Sequence, residues 1–128
     1  MSRKFIRNHL PVLFMAAGIF LLSSVPSLKA PGLGFHLQDK FYHFMEYAIF
    51  GLLLCRSADA WPGISIPASL IALLAGILYA ASDEWHQTLV PGREGDLADF
   101  MADTAGLAVA VTIWSLLRKR NDKKTKAF

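Results

Sequence analysis

The chain is 128 residues long, 54% hydrophobic and only 18% charged, with a mean hydropathy of +0.38. A water-soluble domain this small must cover a large surface relative to its volume with polar groups, so this composition excludes one and points to a single polytopic membrane domain. The net charge of +3 is not spread out: ten of the 13 Lys and Arg lie in the two termini and one short loop, which suits membrane topology and anionic lipids and excludes a nucleic-acid surface.

Taken in chain order, a basic head (Arg3, Lys4, Arg7) precedes an apolar run that predicts a first helix over residues 9–25, with Pro11 tolerated in the first turn. Head and run together resemble a secretory signal. Leu28 is not the small residue that a cleavage site needs, however, and Pro31 follows Ala30, so the segment is expected to stay attached. Pro26, Pro31, Gly32 and Gly34 mark a loop. A second helix is predicted over 39–56, with Asp39 as its N-cap, and a third over 67–88. A Pro91-Gly92 turn follows, then a fourth helix over 96–118 and a basic tail over 119–128. Segments of about 20 residues match a hydrocarbon core of about 30 Å, so an all-α bundle of four transmembrane helices is expected. Cys55 stands alone and reads as a small apolar filler.

The distribution of Lys and Arg sets the orientation. The side bearing the N-terminus, Arg56 and the C-terminus carries ten, and the side bearing Lys29, Lys40 and Arg93 carries three. Both termini are therefore expected in the cytoplasm. This orientation gathers three polar stripes at the outer face. Asp39, His43 and Glu46 recur at helical spacing on the second helix, Asp83 and Gln87 on the third (beside Glu84 and His86), and Asp96, Asp99 and Asp103 on the fourth. Ionisable groups at membrane depth are expensive and call for a function. Small-residue ladders at Ala72, Gly76 and Ala80 and at Ala102, Gly106 and Ala110 let backbones approach closely, and predict that the third and fourth helices form an antiparallel hairpin with the acids near its seam.

Three motifs, Asp39-Lys40-x2-His43-x3-Tyr47-x3-Gly51, Asp83-Glu84-x2-Gln87-x3-Pro91-Gly92-Arg93 and Asp96-x2-Asp99-x3-Asp103-x2-Gly106, resemble the VanZ-like membrane proteins, from the second helix to the fourth. One departure is Asp103, where that family more often has Asn. The resemblance implies a cell-envelope role, with a link through the family's founding member to reduced susceptibility to the glycopeptide teicoplanin. It implies no particular reaction.

Read as chemistry, His43, Glu46, Asp83, Glu84, Gln87 and Asp99 are the candidate catalytic groups. Glu46 or Asp99 would act as general base and His43 as proton shuttle. Lys40 and Arg93 could hold a phosphate, with Tyr47 and Asp96 lining the substrate. The clustered oxygens of Asp83, Glu84, Asp99 and Asp103 suit Mg²⁺ or Ca²⁺. No Gly-x-Ser-x-Gly motif is present and no cysteine adjoins the cluster, so whether the chain is an enzyme stays open. Three functions compete: binding or modifying a lipid-linked or peptidoglycan-precursor headgroup, a non-catalytic assembly module that binds another membrane protein or a peptidoglycan precursor, and ion-coupled transport. For the last, four helices are few and none is visibly broken.

Overall fold

Runs of Leu, Ala, Ile and Phe with few breakers leave the backbone no partner but itself in a water-poor setting, and the computed structural model is accordingly helical throughout its elements. It describes residues 3–28, 31–35, 37–61, 63 and 65–125, without the side chains of 123–125. Lys29, which enters the charge count, Ala30, at the rejected cleavage site, and residues 126–128 of the basic tail lie outside the described residues. The elements are α1 (Arg3–Ser23), α2 (Gln38–Asp59), α3 (Ala68–Gln87) and α4 (Leu97–Thr125).

Several boundaries differ from those expected. The basic head is the first turn of α1, and α2 runs on past residue 56 to Asp59. Residues 119–125, expected as tail, continue α4 as helix, because no Gly or Pro follows Gly106. Asp39 does not cap α2. It lies in the first turn, the residue before the helix is Leu37, and no side chain bonds to that end; the Asp39 carboxylate is instead drawn to Lys40 at 3.2 Å. Asp96 takes the capping role at α4, where its Oδ1 accepts from Ala98 N–H at 2.8 Å. Between α3 and α4 the chain reverses at Val90-Pro91-Gly92-Arg93. Arg93 N–H donates to the Val90 carbonyl at 3.1 Å and Gly92 adopts φ +74°, as a turn with Pro second and Gly third requires.

Three helices, α1, α3 and α4 over Leu97–Asp122, are long and apolar enough to cross a membrane. The second helix is not among them, since it carries Asp39, Lys40, Glu46, Arg56 and Asp59. The apolar side chains are turned outward: Phe14 and Leu21 on α1, Leu74 and Leu78 on α3, and Met101 and Leu116 on α4 are all exposed. So are Phe41, Met45 and Ile49 along one line of α2.

The small-residue ladders are used inside the chain: that of α3 meets α4 as expected, whereas that of α4 packs chiefly against α2. A Cβ on Gly106 would fall on the Phe44 carbonyl oxygen and lie 2.9 Å from the Ala48 nitrogen, and one on Gly51 would meet the Ala110 Cβ at 2.8 Å. The closest backbone approach is thus between α2 and α4. On α3, Gly76 receives the Leu107 side chain, whose Cδ2 would lie 2.5 Å from an added Cβ. The acidic stripe of α4 consequently faces α2, with Asp99 still within reach of Glu84 on α3. An alanine at Gly51 should cost less than one at Gly106, because Ala110 is a side chain whereas Phe44 and Ala48 present backbone; thermal unfolding in detergent checks this order.

Candidate functional site

Each polar stripe ends at the same end of the bundle, and the close α2–α4 packing decides which residues meet. His43 projects from the second turn of α2 onto α4. Its Nδ1 is 3.0 Å from Asp103 Oδ1, and its Nε2 is 3.8 Å from Asp99 Oδ2. Asp103 is 0% exposed, and its carboxylate accepts while the ring nitrogen donates. Nδ1 therefore carries a hydrogen in this contact, and Nε2 is the ring nitrogen turned toward Asp99. Lys40, one turn earlier, reaches Asp99 Oδ1 at 2.6 Å and Asp96 Oδ2 at 2.5 Å as well as Asp39. Its ammonium, hydrogen-bonded to Asp96, holds that exposed carboxyl below the ordinary carboxylate range.

From α3, Glu84 joins this group. Its Oε2 accepts from Asp96 N–H at 2.8 Å, its Oε1 is buried without a hydrogen-bond partner among the described residues, and the side chain as a whole is 9% exposed. His43, Glu84 and Asp99 each offer one donor atom, and the three atoms lie within 4.8 Å of one another. The four carboxylates expected to gather around a cation do not form one group. Asp103 is spent on His43, and Asp83 forms a neighbouring buried group of its own. Ser23 Oγ donates to Asp83 Oδ2 at 2.9 Å, and Gln87 Nε2 donates to the same oxygen at 3.1 Å. The reason is the position of α1, whose last residue lies against α3.

Other expected site residues are placed elsewhere. Arg93 donates from Nη2 to the Leu22 carbonyl at 2.8 Å, tying the α3–α4 turn to the end of α1 rather than standing free for a phosphate. Tyr47 is 0% exposed and packs at right angles to Phe50, 5.9 Å between ring centroids, within the apolar core. Glu46 is half-buried on α2 and makes no hydrogen bond or ion pair among the described residues. Ser23 was missed as a site residue because, in sequence, it reads as part of a signal-like stretch; only the helix pairing assigns it to Asp83. His86 turns aside to Ser24 at 3.0 Å and stacks on Phe20.

Beside the polar group, an open groove of about 350 Å³ runs along α3 and α4. Ala81, Trp85, Leu97 and Phe100 line it together with the polar Glu84, Thr88 and Asp96. The opposite end of the bundle is basic and separately tied. His9 Nδ1 lies 2.7 Å from Ser57 Oγ, Arg56 donates to the Arg7 carbonyl at 2.9 Å, and Arg118 pairs with Asp59.

The match to known families falls on this architecture. The VanZ/LLP1 family model matches residues 6–118, all four helices included. The chain belongs to the VanZ/LLP1 family. No curated protein and no solved structure matches it. The match covers every residue of the pocket in this VanZ/LLP1 chain, from Lys40 and His43 on α2 to Asp103 on α4.

One expectation follows from the Lys40 cluster. Replacing Lys40 by methionine should move the Asp96 titration upward, toward its ordinary value, as read by carboxyl carbon chemical shifts. The sign follows from linkage: in the wild type the Asp96 carboxyl titrates lower when folded than when unfolded. Its contribution to stability is therefore present above the unfolded value of about 3.9 and is lost as pH falls through the lowered folded value. In the Lys40→Met variant that acid-sensitive contribution should largely vanish.

Proposed function

We propose that this chain binds and modifies the headgroup of a membrane lipid or lipid-linked cell-wall precursor, using the polar end of the bundle, with His43 as the proton-transfer group. The observation that carries this reading is that the apolar groove and the polar group share Glu84 and Asp96. Such a site fits an amphipathic ligand, whose chain lies along Trp85, Leu97 and Phe100 and whose headgroup meets the carboxylates. A wholly soluble ligand would have no use for the groove, which faces outward among exposed apolar residues. His43 and Asp103 supply the chemistry: a fully buried carboxylate fixes the ring so that Nε2 can take and return a proton.

In this reading α2 spans the membrane as a fourth helix. Its exposed Phe41, Met45 and Ile49 meet lipid, and its charges lie toward its two ends or within the bundle. The excess of basic residues at the opposite end supports both termini in the cytoplasm and, with them, the pocket at the outer leaflet of a bacterial inner membrane. An effect on glycopeptide susceptibility would then follow from an altered envelope precursor. The assembly alternative has less support, because Ala72, Gly76, Ala80 and Ala110 are buried within the chain itself.

The test compares lipid extracts by mass spectrometry from cells making the wild type, His43→Gln or no protein. A species altered by the wild type and restored by His43→Gln is expected, with both proteins at equal levels in the membrane. Three indistinguishable extracts would defeat the proposal.

A further inference from the structure

The acidic end of the bundle has a charge problem that its own side chains do not solve. Five carboxylates, Asp39, Glu84, Asp96, Asp99 and Asp103, gather at this end, where Lys40 pairs with Asp39, Asp96 and Asp99 and His43 with Asp103. Glu84 is left with Oε1 buried and unpartnered among the described residues, and so is Oδ2 of Asp103. A buried carboxylate oxygen without a donor is costly, and an acidic pocket by itself would repel a headgroup that carries phosphate.

We infer that His43, Glu84 and Asp99 form a binding site for one transition-metal dication of the zinc class, oriented by Asp103. Three side chains from three different helices bring one donor atom each to within 4.8 Å of one another. Glu84 Oε2 is occupied by Asp96 N–H, so the unpartnered Oε1 is the atom free to ligate. Asp99 can serve two cations, since Lys40 holds Oδ1 while Oδ2 points toward His43. The His43–Asp103 contact at 3.0 Å is the arrangement by which a carboxylate fixes the tautomer of a metal-bound histidine and raises its basicity. An imidazole among the donors favours zinc-class ions over Mg²⁺ or Ca²⁺, which prefer all-oxygen shells. Three protein ligands also leave a fourth position open, the pattern of sites that act on a bound molecule rather than merely hold the fold.

This inference concerns the same pocket as the headgroup reading and rests on it for its purpose: with the dication bound, His43 Nε2 is a ligand in place of a proton carrier, and the metal is the positive centre that lets an acidic pocket accept a phosphate-bearing headgroup. The binding itself is tested separately. The full chain, purified in detergent without a polyhistidine tag and stripped by chelator, is titrated with Zn²⁺ by calorimetry and with Co²⁺ by visible absorption. Saturable binding of one Zn²⁺ per chain is expected, with Co²⁺ d–d bands of the intensity given by four or five ligands and no competition from excess Mg²⁺. Glu84→Gln and His43→Gln should each weaken Zn²⁺ at least about 100-fold, and Asp103→Asn about 10- to 100-fold, with unchanged far-UV circular dichroism. The Co²⁺ spectrum of the wild type needs no variant and stands even if one misfolds. Absence of saturable binding, equal binding by Glu84→Gln and the wild type, or displacement by Mg²⁺ would each overturn the metal site. A lipid change without metal binding would sink this inference and leave the headgroup reading intact; metal binding with unchanged lipid extracts would do the reverse.

Discussion

Replacing Gly106 with valine is expected to leave little folded protein in the membrane. An added Cβ alone would land on the Phe44 carbonyl oxygen and press the Ala48 nitrogen, and both are backbone atoms of a helix that cannot rotate away as a side chain can. The strain is relieved only if α2 and α4 move apart. Overpacking by a single methylene costs about 1–3 kcal/mol, and valine adds three carbons at a position with room for none, so a loss of about 3 kcal/mol or more is expected. The same separation would pull His43 from Asp103 and Lys40 from Asp99, so stability and function should fail together. Denaturation in detergent with rising SDS, followed by circular dichroism, reads the effect. Gly18→Ala is the control: nothing lies within 4 Å of its added Cβ, and alanine is the better helix former by about 1 kcal/mol. If Gly106→Val unfolded at the wild-type midpoint, the α2–α4 contact would not be as close as described.

The second large effect is expected from Asp103→Asn, and it should appear in function without appearing in stability. Asparagine keeps the volume of a residue that is 0% exposed and can still accept a bond from the imidazole, but it removes a buried charge whose second oxygen has no partner among the described residues. Losing a buried carboxylate with one unpartnered oxygen relieves a desolvation cost, which offsets the weaker bond to the ring. The loss is that the ring is no longer held beside a negative group, so Nε2 becomes a weaker base and the tautomer is no longer fixed. A proton-transfer group contributes about 10²–10⁴-fold to a rate, so conversion of the lipid species should fall by at least about 100-fold at an unchanged unfolding midpoint. Combining Asp103→Asn with His43→Gln should add little beyond either alone, because the two act as one unit. Full conversion by Asp103→Asn would remove His43 from the proton-transfer role.

The contrast between these two variants separates what the chain encodes locally from what it encodes at long range. Apolar runs of helical length, Pro91-Gly92 at the reversal and the spacing of Asp99 and Asp103 on one face all follow from the 3.6-residue period and from backbone chemistry. For that reason the four helices, the turn and the acidic stripe were legible in residue order alone. The boundaries were less so. Asp39 has the chemistry of an N-cap, yet its carboxylate goes to Lys40, a choice that sequence spacing cannot weigh. Tyr47 shares the helix of His43 but lies one turn deeper, where Phe50 claims it for the core.

By itself, then, the sequence determined an all-helical membrane protein of the VanZ/LLP1 family with acids and a histidine concentrated toward one end, because hydropathy and periodicity are properties of a single segment. Which acid meets which base was decided only by tertiary packing. Gly106 admits the backbone of α2, and that one close approach turns Asp103 onto His43 and Asp99 onto Lys40. The last residue of α1 takes Asp83 away from them. Helical periodicity says which residues share a face, but the partner of that face is set by where a helix has no side chain to keep its neighbour at a distance.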